Sequence, residues 1–92
     1  MIHELKILRA HFTDWKAGIK RDELRRDDRN YQVGDTLHLR EMRGMISEGP
    51  YMVPDFTGEG LTTEVLGILR QHAGLSPGYV LLYCGEPTYD LP

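Results

Sequence analysis

The amino-acid sequence predicts one small domain of the α+β class, rich in β-strand, with a short helix after the first strand. Three observations carry that prediction. The chain has 92 residues, one domain's worth. Short stretches recur in which apolar and polar residues alternate, the period of a strand buried on one face. Leu8, Phe12 and Trp15, by contrast, fall at i, i+4 and i+7, the spacing of one helix face. Hydrophobic residues make up 40% and charged residues 27%, so the chain has the means to bury a modest core rather than stay disordered.

The first strand is read from His3, Leu5 and Ile7 alternating with Glu4, Lys6 and Leu8. A short helix follows over about residues 9–17, with Phe12 and Trp15 as its core anchors. Gly18 is placed to stop it in the left-handed conformation. From Ile19 to Arg26 the chain is charged and uninterrupted by Gly or Pro, and suits either a helix or a strand; Leu24 is its main apolar anchor. Asp27-Asp28-Arg29-Asn30 supplies turn chemistry, with Asp28 expected to pin the turn, and Gly34-Asp35 makes a second turn. In Thr36–Glu41, Leu37 and Leu39 alternate with polar residues, so a strand is expected.

Residues 43–61 lose all hydrophobic period. Gly44, Gly49, Pro50, Pro54, Gly58 and Gly60 punctuate them, and a long loop is expected, with Gly58 and Gly60 as a flexible turn around Glu59. Tyr51 and Phe56 in that loop could stack on a base or bury against the body. Thr62–Leu69 reads as strand, although Glu64–Arg70 could sustain a helical turn. Gly74–Gly78 is a turn with Pro77 presetting its backbone. Tyr79–Tyr83 is apolar on both faces, as in a central strand covered on both sides. The tail 85–92, with Pro87 and Pro92, is expected to be irregular. No repeat and no second domain are found, so 1–92 is read as a single domain.

Charge narrows the function classes. The net charge is −3, yet residues 1–43 carry ten of the eleven Lys and Arg against eight acids, and residues 44–92 carry Arg70 alone against six. The overall acidity argues against a charge-driven, histone-like binder of nucleic acid and leaves room for a local basic patch. No segment approaches the roughly 20 apolar residues that span a bilayer. Met1-Ile2-His3-Glu4 does not resemble the start of a secretory signal. Cys84 is the only cysteine, which excludes an intrachain disulfide; a cytoplasmic location is expected. His3, His11, His38 and His72 show no metal-ligand spacing, and no phosphate-binding glycine loop occurs, so neither a metal nor a cofactor is expected. His3 is expected to hydrogen-bond in the core.

Gly18–Arg25 fits the pattern Gly-x-Lys-x-x-Glu-x-Arg. In a strand, Glu23 and Arg25 share a face, whereas Lys20 has opposite parity and joins them only from the strand's entrance or a bulge. A carboxylate beside a planar guanidinium is held in place, and the pair offers donors and an acceptor to a polar ligand. Taken without relatives, three such charges read as a solvated face.

This segment resembles the signature of the ASCH domain family. A small bacterial and phage group related to ASCH is more similar still. Its members begin with His-Glu-Leu-Lys-Ile, matched by His3–Ile7, and continue through a Gly-x-Lys segment. They then carry Asn-Asp-Arg-x-Phe-x-Val-Gly-Asp, matched here by Asp27–Asp35, and a closing strand matched by Gly74–Leu82. The resemblance covers about 3–43 and 62–84. It implies a PUA-like β-barrel of about five strands with a short helix after the first, and binding of RNA or a nucleotide-like ligand beside the motif. Lys20, Glu23, Arg25, Arg29 and Tyr31 would be the binding residues. One ASCH branch resembles amidohydrolases of acetylated cytidine, which use a Lys, a Thr three residues later and a distant Glu. Lys20 matches the first and Glu64 is the candidate for the last, but Glu23 stands at the threonine's place and cannot serve as a hydroxyl nucleophile. A small hydrolase using Lys20, Glu23 and Glu64 is therefore the alternative. A phage-type interaction module working through residues 43–61 is a third reading.

Overall fold

In the computed structural model, which describes residues 1–90, the first two elements form as their periods predict. Strand β1 (Ile2–Leu8) buries His3, Leu5 and Ile7 and exposes the residues between them. Helix α1 (Arg9–Lys16) buries Phe12 and Trp15 completely. It ends where Gly18 takes a φ of 78°, with the Gly18 N–H donating to the Trp15 carbonyl at 3.0 Å. A side chain at that φ would be strained, which is why glycine stops the helix here.

The remaining strands are β2 (Asp22–Arg26), β3 (Thr36–Glu48), β4 (Tyr51–Leu69), β5 (Tyr79–Cys84) and β6 (Thr88–Asp90). They form one sheet in the order β1-β3-β4-β5-β2, with β6 added to β4. Only β1 and β3 run parallel; the crossover between them carries α1 and β2. The long β4 turns the sheet. Its stretch near Leu61 pairs with β3 and β6, and its end from Val65 pairs with β5. Leu5, Ile7, Leu37, Leu39, Leu61, Val65, Val80 and Leu82 all face inward, where Phe12, Trp15 and Tyr31 complete the core. The expectation of a β-rich domain with one short helix holds. The barrel of about five strands does not: six strands form, and the sheet stays open between its end strands β1 and β2.

Several other expectations are corrected. Residues 43–61 are not a loop. They are the far part of β3 and the first part of β4, a hairpin turning at Gly49-Pro50, with Ile46 opposite Val53 and Ser47 opposite Met52. The glycines and prolines that suggested a loop are absorbed locally. Pro54 sits in a two-stranded arm, where each strand has a free edge and a missing N–H costs little. Register shifts between Arg40 and Met45 take up the irregular spacing. Gly60 is no flexible turn either: it lies within β4, and a Cβ there would meet the Leu39 carbonyl oxygen at 2.7 Å. Leu24 is not an anchor but 60% exposed, because β2 turns Glu23 and Arg25 inward. Tyr79–Tyr83 is central, between β4 and β2, but covered on one face only; Val80 and Leu82 are buried while Tyr79 and Tyr83 are exposed. The strand expected over Thr62–Leu69, by contrast, forms as read, as the end of β4.

The tail expected to be irregular contains β6, and Tyr89 there donates from its hydroxyl to the Trp15 carbonyl at 2.9 Å. Leu91 and Pro92 of that expected tail lie outside the described residues. Asp28 is exposed and does not pin its turn. Asp27 and Asp35 do. Asp27 accepts from Arg70 Nε at 2.8 Å, and Asp35 accepts from the Gln32 N–H at 2.9 Å and from His3 Nε2 at 2.8 Å. The bond from His3, then that from Gln32, hold the Asp35 carboxyl down to about 2. An ionised carboxylate only accepts, so His3 must carry its proton on Nε2. His3 is thus the core hydrogen-bonder expected.

Candidate functional site

The open seam between β1 and β2 is where the polar chemistry gathers. The Thr36 N–H donates to the Met1 carbonyl at 2.9 Å, so the odd-numbered backbone groups of β1 face β3. Alternation then turns the carbonyls of Glu4 and Lys6 toward the open side. Side chains meet them there in place of a ladder. Arg25 Nη2 donates to the Lys6 carbonyl at 2.8 Å, and Arg29 Nη1 donates to the Glu4 carbonyl at 3.1 Å.

At the centre of the seam sits Glu23, only 3% exposed on an end strand. A buried carboxylate is costly unless every lone pair finds a donor. Arg25 Nη2 reaches Glu23 Oε1 at 2.7 Å. Glu23 Oε2 takes the indole Nε1–H of Trp15 at 3.4 Å and lies 3.3 Å from Lys20 Nζ. Lys20 precedes β2 in irregular chain, so strand parity does not bind it; it enters from the strand's entrance. Its ammonium also donates to Asp22 Oδ1 at 2.9 Å. Burial opposes the charge on Lys20, but the Asp22 hydrogen bond and the Glu23 and Asp22 charges outweigh it and raise its pKa. Lys20 is therefore a cation at neutral pH, not a free base.

Lys20, Glu23 and Arg25 line a cleft of about 460 Å³, walled by Ile7, Leu8 and Met42 and rimmed by Lys6 and His11. Lys6, Lys20 and Arg25 stand against Glu23 in the lining and Asp22 beside it, which still leaves the cleft one charge positive. Arg25 spends only Nη2 on its partners among the described residues, which leaves Nε and Nη1 for a ligand. A larger depression, about 510 Å³, lies around Arg70–Tyr79, but its Arg70 is already engaged by Asp27 and the Tyr31 carbonyl. No group of three or more His, Cys, Asp or Glu suited to a metal ion occurs among the described residues. No helix there is long and apolar enough to cross a membrane.

Residues 2–84, which contain the whole seam, match the family described as Domain of unknown function, DUF3850. The chain belongs to the DUF3850 family. It is also similar to an "Uncharacterized 12.9 kDa protein in GpA 3'region" of Escherichia phage P2. The two are 50% identical over 40 residues, 44% of this chain and 37% of the relative, so the match spans little more than a third of that protein. Membership of a phage-related family without an assigned role is thus borne out.

Within this DUF3850 domain, the structure brings Lys20, Glu23 and Arg25 together and sets the other expected site residues elsewhere. Arg29 stands on the open edge of β1, beside the cleft rather than in it. Tyr31 is 1% exposed, its ring 4.7 Å from that of His3, and burial raises its hydroxyl pKa; it is a core residue. Glu64 is exposed on β4 opposite Thr36 and does not line the cleft. Trp15, expected only as a core anchor, also donates to Glu23. Sequence reasoning missed Lys6 and His11. Lys6 was legible in principle, since its parity in β1 puts it on the face opposite Leu5 and Ile7.

Proposed function

We propose that this DUF3850 domain binds RNA or a nucleotide-like ligand in the β1–β2 seam. The observation that carries the reading is an inverted strand: β2 buries Glu23 and draws in Arg25 while exposing Leu24. Folding alone favours the reverse arrangement, and polar groups held inward at a cost to stability are the mark of a site. Lys20, Lys6 and the free nitrogens of Arg25 would meet a phosphate, with Arg29 at the seam's edge. Glu23 would orient Lys20 and Arg25. The resemblance of Gly18–Arg25 to the ASCH signature supports the same ligand class.

The cleft favours binding over hydrolysis. Its lining offers no hydroxyl or thiol nucleophile, and Lys20 keeps its proton. Cys84 is buried away, its thiol pushed up to about 12 by burial and by the Glu23 and Asp22 charges. The test is titration of labelled single-stranded and structured RNAs with the wild type and a Lys20→Ala/Arg25→Ala variant, both checked for fold by circular dichroism. Wild-type binding that the variant loses is the expected result. Equal weak binding by both proteins to every RNA would overturn it.

A second reading, protein interaction through residues 43–61, is favoured by one observation. Pairing of β3 with β1 ends at Met42, leaving the edge of the hairpin from Arg43 to Glu48 open for an extended segment of a partner protein. Deleting the hairpin tip should then abolish capture of that partner while RNA binding survives.

A further inference from the structure

The charge of the seam does not stop at the cleft, and we infer that the ligand is a polymer: an extended single strand of nucleic acid. Its backbone leaves the seam over Lys6 and crosses the outer face of β1 and β3 to the Arg40–Phe56 pair. The inference rests on the seam reading above and goes further by naming a strand rather than a single nucleotide.

Two depressions meet at one residue. Lys6 lines the seam cleft and also a groove of about 240 Å³ that holds Arg29, Arg40 and Phe56; Lys6, Arg29 and Arg40 are three cations against the one carboxylate of Glu4. Register explains the continuity. Lys6 lies opposite Arg40 across the parallel β1–β3 ladder, and both side chains stand on the outer face of the sheet. Paired strands are about 4.8 Å apart, so a ligand that leaves the seam over Lys6 on β1 meets Arg40 on β3 at short range. A third depression, sharing Arg40 and Phe56, ends the path at Glu59 on β4 and Asp90 on β6, acids already paired with Lys16 and His38 that offer a phosphate no further cation.

The far end of the path also has a surface suited to a base. The Arg40 guanidinium lies 3.7 Å from the Phe56 ring centroid and donates from Nη1 to Glu4 Oε1 at 3.1 Å. Its side chain remains 40% exposed beside the ring. Unstacked bases pack on such guanidinium planes and aromatic rings, which a duplex cannot offer them.

The experiment compares a labelled nucleoside monophosphate with a single-stranded RNA of about eight nucleotides, for wild type, Arg40→Ala, Arg40→Lys and Lys20→Ala/Arg25→Ala. The oligonucleotide should bind wild type about tenfold or more tighter than the monophosphate. Arg40→Ala should remove most of that advantage and lower the slope of log K against log salt by about 0.7, one phosphate's share. Monophosphate binding should be unmoved. Arg40→Lys keeps the charge and loses the plane, so it should retain the salt slope and still lose affinity for the oligonucleotide. Equal affinity for the two ligands, or an oligonucleotide slope unchanged in Arg40→Ala, would overturn the strand and leave the seam standing. Monophosphate binding that survives in Lys20→Ala/Arg25→Ala, or no binding of either ligand by wild type, would overturn both.

Discussion

Strand β2 and the β3–β4 hairpin invert the ordinary rule in opposite senses. β2 turns a carboxylate and a guanidinium inward and leaves Leu24 out, whereas the hairpin carries Met45, Ile46, Tyr51 and Met52 in the open. The buried carboxylate of β2 is partnered: Glu23 has Arg25, Lys20 and Trp15 around it. The exposed apolar groups of the hairpin have no core beneath them, since its two strands pair only with each other beyond Met42. Burial of charge binds the first region into the fold. Lack of burial leaves the second outside the fold's energetics, free to vary or to meet a partner.

If that contrast is right, the largest effect should come from Glu23. Glu23→Leu leaves Lys20 and Arg25 facing an apolar group, and their side chains are only 18% and 22% exposed. A loss of about 2 kcal/mol in urea unfolding is expected, below the full penalty for breaking a buried pair because both cations keep some contact with water. An unchanged midpoint would mean that the seam is solvated like any surface.

A smaller effect, confined to acid, should come from Asp35. Its folded pKa of about 2 lies below the ordinary 3.8, so its ionised form stabilises the fold. That contribution is complete above 3.8 and is lost as pH falls from there through about 2. Asp35→Asn should flatten this part of the stability–pH profile, read by urea unfolding across the acid range. A profile unchanged in shape would place the acid sensitivity on other groups.

The smallest effect belongs to the hairpin. Tyr51, 71% exposed, should tolerate Tyr51→Ser within about 0.5 kcal/mol. A larger loss would show that the arm packs against the body, and the contrast between the regions would fail.

The regions also differed in how far they could be read. β1 and α1 were legible because each shows its own period over most of its length, and Gly18 marks the helix end by its own backbone freedom. The 43–61 hairpin was not legible. Its strands face no core, so no selection for alternation leaves a pattern, and its Gly and Pro residues look like loop residues until a cross-strand partner places them. Lys20, Glu23 and Arg25 were visible as a motif. The indole bond from Trp15 to Glu23 was not, because nothing local shows which fully buried helix residue faces a strand that follows. Nor was the packing of Tyr31 against His3 legible, because the residues around it in sequence are those of a charged turn.

By itself the sequence determined the β-rich class, the helix after the first strand, the inward-facing residues of β1, α1 and the start of β3, and the charged motif, all set by interactions within a few residues. Only the tertiary structure decided that the sheet stays open between β1 and β2, and that Arg25 and Arg29 bond the carbonyls left there. It also decided that Lys6 belongs to the same cleft. Those facts depend on which strand lies beside which, and that follows from long-range burial of one shared core rather than from any local preference.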